Sequence, residues 1–353
     1  MGSQRPRVGV ARELLALAPH GGHGKVWHRV LTRLAARTRL VPIDHATGRP
    51  LRPWTRRPAV VLADGHGDLP PTRVPLVVEV HEAGWHEPAL RDTLDPAFYE
   101  LISSRTAVAV GTAAHIITLS ESSRRDIVAA YAADPQRVHV VHPGLEAPFR
   151  PDASGGRATV ARACGAPERP YVLFAAALHP RKNLQSLREA MAGLAEEGFP
   201  HALVVAGSGA TDREDSSELE RAAAAALPGG QPPVVRLTGL GDGALAGLMA
   251  EADAFCLPSL HEGFGLTALE AMACGAPVVV SDRGALPEVV GDAGVVVPPT
   301  PAALRDALRR VLGEPTLAAS LGRAGVERAR AFSWDTTAAG WLAVLARAAA
   351  EGD

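Results

Sequence analysis

Residues 254–281 read AFCLPSLHEGFGLTALEAMACGAPVVVS. The apolar run Ala254–Leu257 predicts a strand that Pro258 stops. Glycines at 263 and 265 break the chain, and the pattern then predicts a helix over Gly265–Cys274. A second apolar strand, Pro277–Ser281, follows after Gly275. Strand, glycine turn, helix and strand in fewer than thirty residues form the repeating unit of a parallel α/β sheet.

The same rhythm runs outward in both directions. Ahead of it, strands are predicted at Tyr171–Ala177, Ala202–Ala206 and Val234–Thr238, with helices at Asn183–Glu196, Asp215–Ala226 and Ala244–Ala250. Behind it come a strand at Val295–Val297 and helices at Ala302–Leu312, Leu317–Ala331 and Trp334–Ala349. The first half shows strands at Arg7–Ala11, Leu40–Ile43, Ala59–Ala63, Leu76–His81, His115–Leu119 and Val138–His142, and a helix near Gly24–Arg37. Between the halves, Glu146–Pro170 is rich in Pro, Gly, Ala and Arg, and reads as a connection between domains. The fold class is therefore α/β, with two Rossmann-like doubly wound domains facing a cleft. In such sheets ligands sit beyond the carboxyl ends of the strands.

Composition excludes several classes. The 353 residues suffice for two domains at roughly 100–200 residues each. With 47% hydrophobic and 21% charged residues, the chain can bury cores and is not of disordered type. A net charge of −2 argues against nucleic-acid binding through a bulk positive field. The cysteines Cys164, Cys256 and Cys274 share no close spacing, so no disulfide framework or zinc motif is read. With no leader and no spanning run, a cytoplasmic location is expected, and membrane association is not indicated. Of the 36 basic residues only two are lysines, Lys25 and Lys182, and both lie in loops predicted to meet phosphate.

The chemistry-bearing motifs gather at strand ends. In HEGFGLTALE, residues 261–270, a helix N-terminus offers unpaired N–H groups to an anion. Glu262 precedes that helix and Glu270 lies inside it, on the order of 10 Å apart. That spacing suits the hydroxyls of a sugar at one end and of a ribose at the other, because each carboxylate accepts two hydroxyl hydrogen bonds. Between Gly263 and Ser281, Glu270 is the only charged residue. In LHPRKNL, residues 178–184, Arg181 and Lys182 stand next to Asn183, a helix cap, and fit a diphosphate clamp. The loop Pro19–Lys25 is glycine-rich without a dinucleotide or Walker fingerprint, and a substrate can approach its backbone. His81, at a strand end, is placed to bond a substrate hydroxyl, and Trp85 either stacks on a sugar or fills the core. Gly207-Ser208-Gly209 and Gly239-Leu240-Gly241 are candidate seats for a base edge.

Taken together, LPSLHEGFGLTALEAMACGAPVVVSDRGALPEVVGDAG, ALHPRKNL, HIITLSESSRRDIV and VHVVHPGLEAPFRP resemble the retaining family-4 glycosyltransferases. The resemblance implies a B-type glycosyltransferase fold. Its domains would be residues 1–155 on the acceptor side, 168–333 on the nucleotide-sugar side, and a last helix, 334–353, crossing back to the first. It implies a catalytic set of His81, Glu262, Arg181 and Lys182. Glu262 would contact donor-sugar hydroxyls, Glu270 the ribose diol, and Arg181 and Lys182 the diphosphate. The remaining donor contacts would come from Gly22, Gly207, Gly239, Leu240, Gly263, Phe264, Gly265, Leu266 and Thr267. Many members carry Gly-Arg where this chain has Ala177-Leu178, and Arg181 stands in for that charge.

The expected activity is transfer from a UDP-, GDP- or dTDP-linked sugar to a hydroxyl of a small molecule, a lipid-linked sugar or a glycan. No metal and no cofactor are expected, since the nucleotide sugar is a substrate. The alternatives are an epimerase on the same fold and a non-catalytic nucleotide-sugar-binding partner.

Overall fold

A computed structural model of the chain describes residues 6–17, 21–52, 56–91, 93–164, 169–207 and 234–352. The predicted helix Asp215–Ala226 and the residues Pro19, His20, Ser208 and Gly209 lie outside them. The chain divides into two units, one formed by Met1–Gly144 with Phe332–Asp353, the other by Leu145–Ala331.

The first unit carries β1 (Arg7–Ala11), β2 (Arg39–Ile43), β3 (Val60–Asp64), β4 (Leu76–Glu79), β5 (His115–Thr118) and β6 (Val138–Val140). They form one sheet in the order β2-β1-β3-β4-β5-β6, and every pairing is parallel. β4 and β5 are buried along their whole length, as strands covered on both faces must be. The order reverses between β1 and β3, so the chain leaves β1 on one side and β3 on the other.

The second unit carries β7 (Tyr171–Ala175), β8 (Ala202–Ala206), β9 (Val234–Leu237), β10 (Ala254–Leu257), β11 (Val278–Ser281) and β12 (Val295–Val297). Their order is β12-β11-β10-β7-β8-β9, again all parallel. This is the dinucleotide-fold order, with its reversal between β7 and β10. Val172 pairs with Ala254 and Leu173 with Phe255, so the loops leaving these two strands emerge side by side.

The connection between the halves is more structured than its composition suggested. Gly156–Cys164 forms a helix within it. Glu251 binds the backbone N–H groups of Gly155 and Arg157 at 3.2 and 2.6 Å, and Arg157 reaches Asp253 at 2.9 Å. Gly156 lies so close to Gly247 that an added Cβ would come within 2.4 Å of its carbonyl oxygen. Small residues permit this packing, and they also removed the apolar periodicity that marks a helix.

The last helix, Trp334–Glu351, starts on a Ser333 cap and lies in the first unit. Trp341 is fully buried and meets Trp27 edge to face, with ring centroids 5.4 Å apart. Asp335 in its first turn binds Arg37 at 2.6 Å, and Thr337 donates to the His142 carbonyl at 2.8 Å. No helix among the described residues is long and apolar enough to cross a membrane.

Candidate functional site

In the second unit, the two loops at the sheet reversal share one buried carboxylate. The loop after β7 turns through His179–Asn183, and the loop after β10 turns through Ser259–Gly265. Glu262 is only 7% exposed. Its Oε1 accepts from Lys182 Nζ and from Ser259 Oγ, each at 2.6 Å. Its Oε2 lies 3.6 Å from Arg181 Nη1, an ion-pair distance that leaves this oxygen capacity for a further donor. Burial pushes the Glu262 carboxyl up, but the Lys182 and Arg181 cations outweigh it and hold it below its ordinary value.

The backbone fixes these side chains. Arg181 donates to the His261 carbonyl at 3.0 Å, and Leu260 N–H donates to the Arg181 carbonyl at 2.7 Å. The two loops are thus stitched in both directions. Ser281 Oγ, at the end of the neighbouring strand β11, donates to the Ser259 carbonyl. Gly284, at φ +58°, approaches Glu262 so closely that a Cβ would lie 2.4 Å from its carbonyl oxygen. Only glycine fits that position, which pins the Glu262 backbone against the Arg283–Ala285 turn.

Asn183 corrects an expectation. It sits at the cap position before Leu184–Glu196, but its backbone is left-handed and its side chain caps no helix N–H. Its Nδ2 donates instead to the carbonyls of Pro258 and Pro299, at 3.1 and 2.9 Å. It therefore ties the β7 loop to the β10 loop.

The helix after the β10 loop is Leu266–Ala273. Gly265 precedes it at φ +97°, a left-handed conformation suited to glycine. Ala268 and Leu269 N–H donate to the Gly265 carbonyl at 3.0 and 3.2 Å, and the N–H groups of Leu266 and Thr267 stand at the open start of the helix. Gly263, Phe264 and Gly265 are buried, while Leu266 and Thr267 are partly exposed. Glu270, the fifth residue of the helix, is 4% exposed. Gly207 follows β8, and the turn Gly239-Leu240 follows β9, so both lie at the carboxyl edge of this sheet.

The first unit gathers a different set at its own reversal. The glycine-rich segment is not a loop throughout: Gly21–Lys25 forms the first turns of the helix Gly21–Arg37. Gly22 is therefore an exposed helical residue. β4 ends at Glu79, and His81 stands two residues beyond it. Glu79 is fully buried, with its Oε2 3.7 Å from His23 Nε2 and 3.8 Å from His81 Nδ1. Asp64, at the end of β3, lies 3.5 Å from His23 Nε2. The His66 ring packs edge-on against His81, with centroids 4.2 Å apart.

The charges in this cluster are strongly coupled. Burial pushes Glu79 up, but His23 and His81 outweigh it and hold its carboxyl well below the usual range. Burial pulls His81 down, yet Glu79, helped by Glu82 and Asp64, pushes it up to about 9. Burial, helped by the neighbouring His81 charge, draws His66 well below its ordinary value, and Glu79 and Glu82 offset only part of this. Trp85 is 7% exposed and lies in the core, its Nε1 donating to Tyr131 at 3.3 Å. It offers no open face on which a sugar could stack.

Sequence reasoning missed Ser259, Asn183 as a loop tie, and the partners of His81. Glu79 carried the same signal as Glu270, a lone charge in the apolar run PLVVEV. His23, Asp64 and His66 carried none, because the fold alone brings them together.

This architecture, two parallel six-stranded sheets each covered by helices, is that of the B-type glycosyltransferases. Sucrose-phosphate synthase from Thermosynechococcus elongatus superposes with a TM-score of 0.71 at 20% identity, covering 95% of this chain and 97% of that one. Anabaena Alr3699/HepE, solved in complex with UDP and glucose, gives 0.69 at 17% identity over 95% and 97%.

Residues 169–314 match the family model described as Glycosyl transferases group 1. A D-inositol 3-phosphate glycosyltransferase of Streptomyces bingchenggensis is 35% identical over 286 residues, 78% of this chain. An MMP alpha-(1->4)-mannosyltransferase of Mycolicibacterium hassiacum is 34% identical over 279 residues, 77% of this chain. The match spans 62% of the length of each of these two relatives.

Proposed function

We propose that the chain is a retaining glycosyltransferase that moves a sugar from a nucleotide diphosphate to a hydroxyl acceptor. One observation carries the reading: Arg181 and Lys182 are drawn to a buried Glu262 at the reversal of the second sheet, beside the start of the helix Leu266–Ala273. Two cations and a helix N-terminus suit a diphosphate. The names of the relatives, a D-inositol 3-phosphate glycosyltransferase and an MMP alpha-(1->4)-mannosyltransferase, support a hydroxyl-bearing acceptor such as an inositol phosphate, and mannose among the candidate sugars. The UDP complex of the Anabaena protein supports UDP among the candidate bases, alongside GDP and dTDP.

In this reading the chemical difficulty is the departure of an anionic diphosphate. Arg181, Lys182 and the first-turn N–H groups offset the charge that grows on it, with no metal at the phosphates. Glu262 Oε2 accepts a donor-sugar hydroxyl while Oε1 keeps Lys182 in place. Glu270 accepts from the ribose diol, and Gly207 and Gly239-Leu240 border the base.

Attack comes from the face the diphosphate leaves. The bond from the anomeric carbon to the phosphate oxygen breaks, the bond to the acceptor oxygen forms on the same side, and the acceptor proton passes to the departing phosphate. His81 orients the sugar through a hydroxyl.

A panel of UDP-, GDP- and dTDP-sugars tests the proposal, first by thermal shift and then by transfer to inositol phosphates and mannosides. One base should raise the melting temperature. The product should keep the donor's anomeric configuration by NMR, and added magnesium should leave the rate unchanged. No stabilisation by any donor, or an inverted product, would refute it.

A further inference from the structure

The cluster at the reversal of the first sheet holds more unbonded donor atoms than a hydroxyl contact requires. Both oxygens of the fully buried Glu79, His81 Nδ1 and His66 Nε2 are buried and make no hydrogen bond. Leaving such atoms unsatisfied is costly, and more so when they are charged. His23 Nε2, Glu79 Oε2 and His81 Nδ1 converge, all lying within 4.8 Å of one another.

The spacing distinguishes a cation from a proton. A proton shared between Nδ1 and a carboxylate draws the two to about 2.7–2.9 Å. Here Glu79 Oε2 stands 3.8 Å from His81 Nδ1 and 3.7 Å from His23 Nε2. Bonds of about 2.0–2.1 Å to a tetrahedral ion hold its ligand atoms roughly 3.3 Å apart. The cluster needs to close by only a few tenths of an ångström at these two edges to match. The rings of His23 and His81 already lie 4.6 Å apart and tilted by 34°, side by side above the carboxylate.

We propose that His23, Glu79 and His81 bind one divalent transition-metal ion of the zinc class. Two imidazoles and a carboxylate without thiolate suit zinc, cobalt or nickel better than magnesium or calcium. Asp64, with Oδ2 3.5 Å from His23 Nε2, adds a second negative charge beside the three ligands. Its charge and that of Glu79 together balance a dication. His23 Nε2 accepts from Trp27 Nε1 at 2.9 Å, and coordination exchanges that hydrogen bond for the metal. His81 binds through Nδ1, which leaves its Nε2 as the nitrogen that meets a hydroxyl. The donors came from separate places in the chain, so no spacing motif announced them, and the sequence predicted no metal.

The cluster shares only His81 with the proposed transferase machinery, whose Glu262, Arg181, Lys182 and Glu270 belong to the second unit. The test is direct binding. The full-length chain, stripped with a chelator, is titrated with Co²⁺ and with Zn²⁺ alone, followed by cobalt d–d absorption and by calorimetry. One ion per chain should bind, with the intense visible bands of a four- or five-coordinate site. Glu79→Gln and His23→Ala should each weaken binding at least tenfold.

His139→Gln is the control, since His139 and His115 form a second pair with nitrogens 3.0 Å apart. Their loss should change nothing. The proposal is overturned by bands of the hexaaqua ion only, by unchanged affinity in either cluster variant, or by binding that disappears in His139→Gln. Should Glu79→Gln fail to fold, His23→Ala decides, because His23 sits part-exposed on a helix. A chain that transfers sugar but binds no ion leaves the second unit's reading intact, and the converse result leaves the cation site intact.

Discussion

The two sheets reverse their strand order in different chemical company. At the second reversal, between β7 and β10, the buried Glu262 is bonded by Lys182 and Ser259 and paired with Arg181. At the first, between β1 and β3 and extending to β4, a fully buried carboxylate faces two histidines without bonding either. Each set of loops uses the opening that its own sheet leaves at the carboxyl ends of parallel strands. The second already pairs its carboxylate with two cations and presents fixed positive charge. The first keeps its donors unspent. The contrast suggests that one lobe is prepared for an anion and the other for hydroxyls and a cation.

Lys182→Ala should disturb this contrast most. Transfer should fall by about 10²–10³-fold if the cation stabilises charge on the leaving group. The variant should also lose several kcal/mol, roughly 3–5, because a buried Glu262 is left with a partial set of partners. Kinetics and thermal melting separate the two losses: pairing Lys182→Met with Glu262→Gln should recover most of the stability and none of the turnover. Near-normal turnover in Lys182→Ala would remove the clamp from the mechanism.

Glu270→Ala should act on nucleotide binding. Losing a carboxylate that accepts a ribose hydroxyl costs about 1.5–3 kcal/mol, roughly ten- to a hundredfold in affinity. Calorimetry with the preferred nucleotide diphosphate checks it, and an unchanged affinity removes the ribose assignment.

The smallest effect concerns pH. Glu262 is held below its ordinary value in the folded chain, so its ion pairs stabilise the fold above the unfolded carboxyl's pKa. That stability is lost as pH falls through the lower, folded value. Melting temperature should therefore decline on acidification below the ordinary glutamate range, and Glu262→Gln should flatten the decline. Parallel curves for the two proteins would show that other carboxylates dominate.

The strands were legible because buried parallel strands read as unbroken apolar runs. Val278–Ser281 and Ala202–Ala206 are cases where sequence and structure agree within a residue. Helix entries were harder. Gly21–Lys25 looks like a loop by composition, but glycine is permitted, if disfavoured, in a helical turn that the Val26, Val30 and Leu34 face anchors to the core. The helix Gly156–Cys164 was hidden for the opposite reason: it packs through small residues that leave no apolar stripe.

The candidate site was half legible. Glu262, Arg181 and Lys182 each stand out locally, yet nothing in the sequence says that Lys182 and Glu262 touch across 80 residues. Nor does it say that Asn183 abandons its cap to hold two prolyl carbonyls. Such ties are properties of loop juxtaposition, which periodicity does not encode.

The return of the final helix to the first unit has a consequence for synthesis. Trp341 completes the packing around Trp27, so the lobe begun by β1 is finished only when the helix Trp334–Glu351 has emerged from the ribosome. The segment Leu145–Ala331 has all its strands well before then and can settle while its predecessor waits. A stop placed right after Ala331 thus releases a chain whose later lobe is whole and whose earlier lobe lacks a wall.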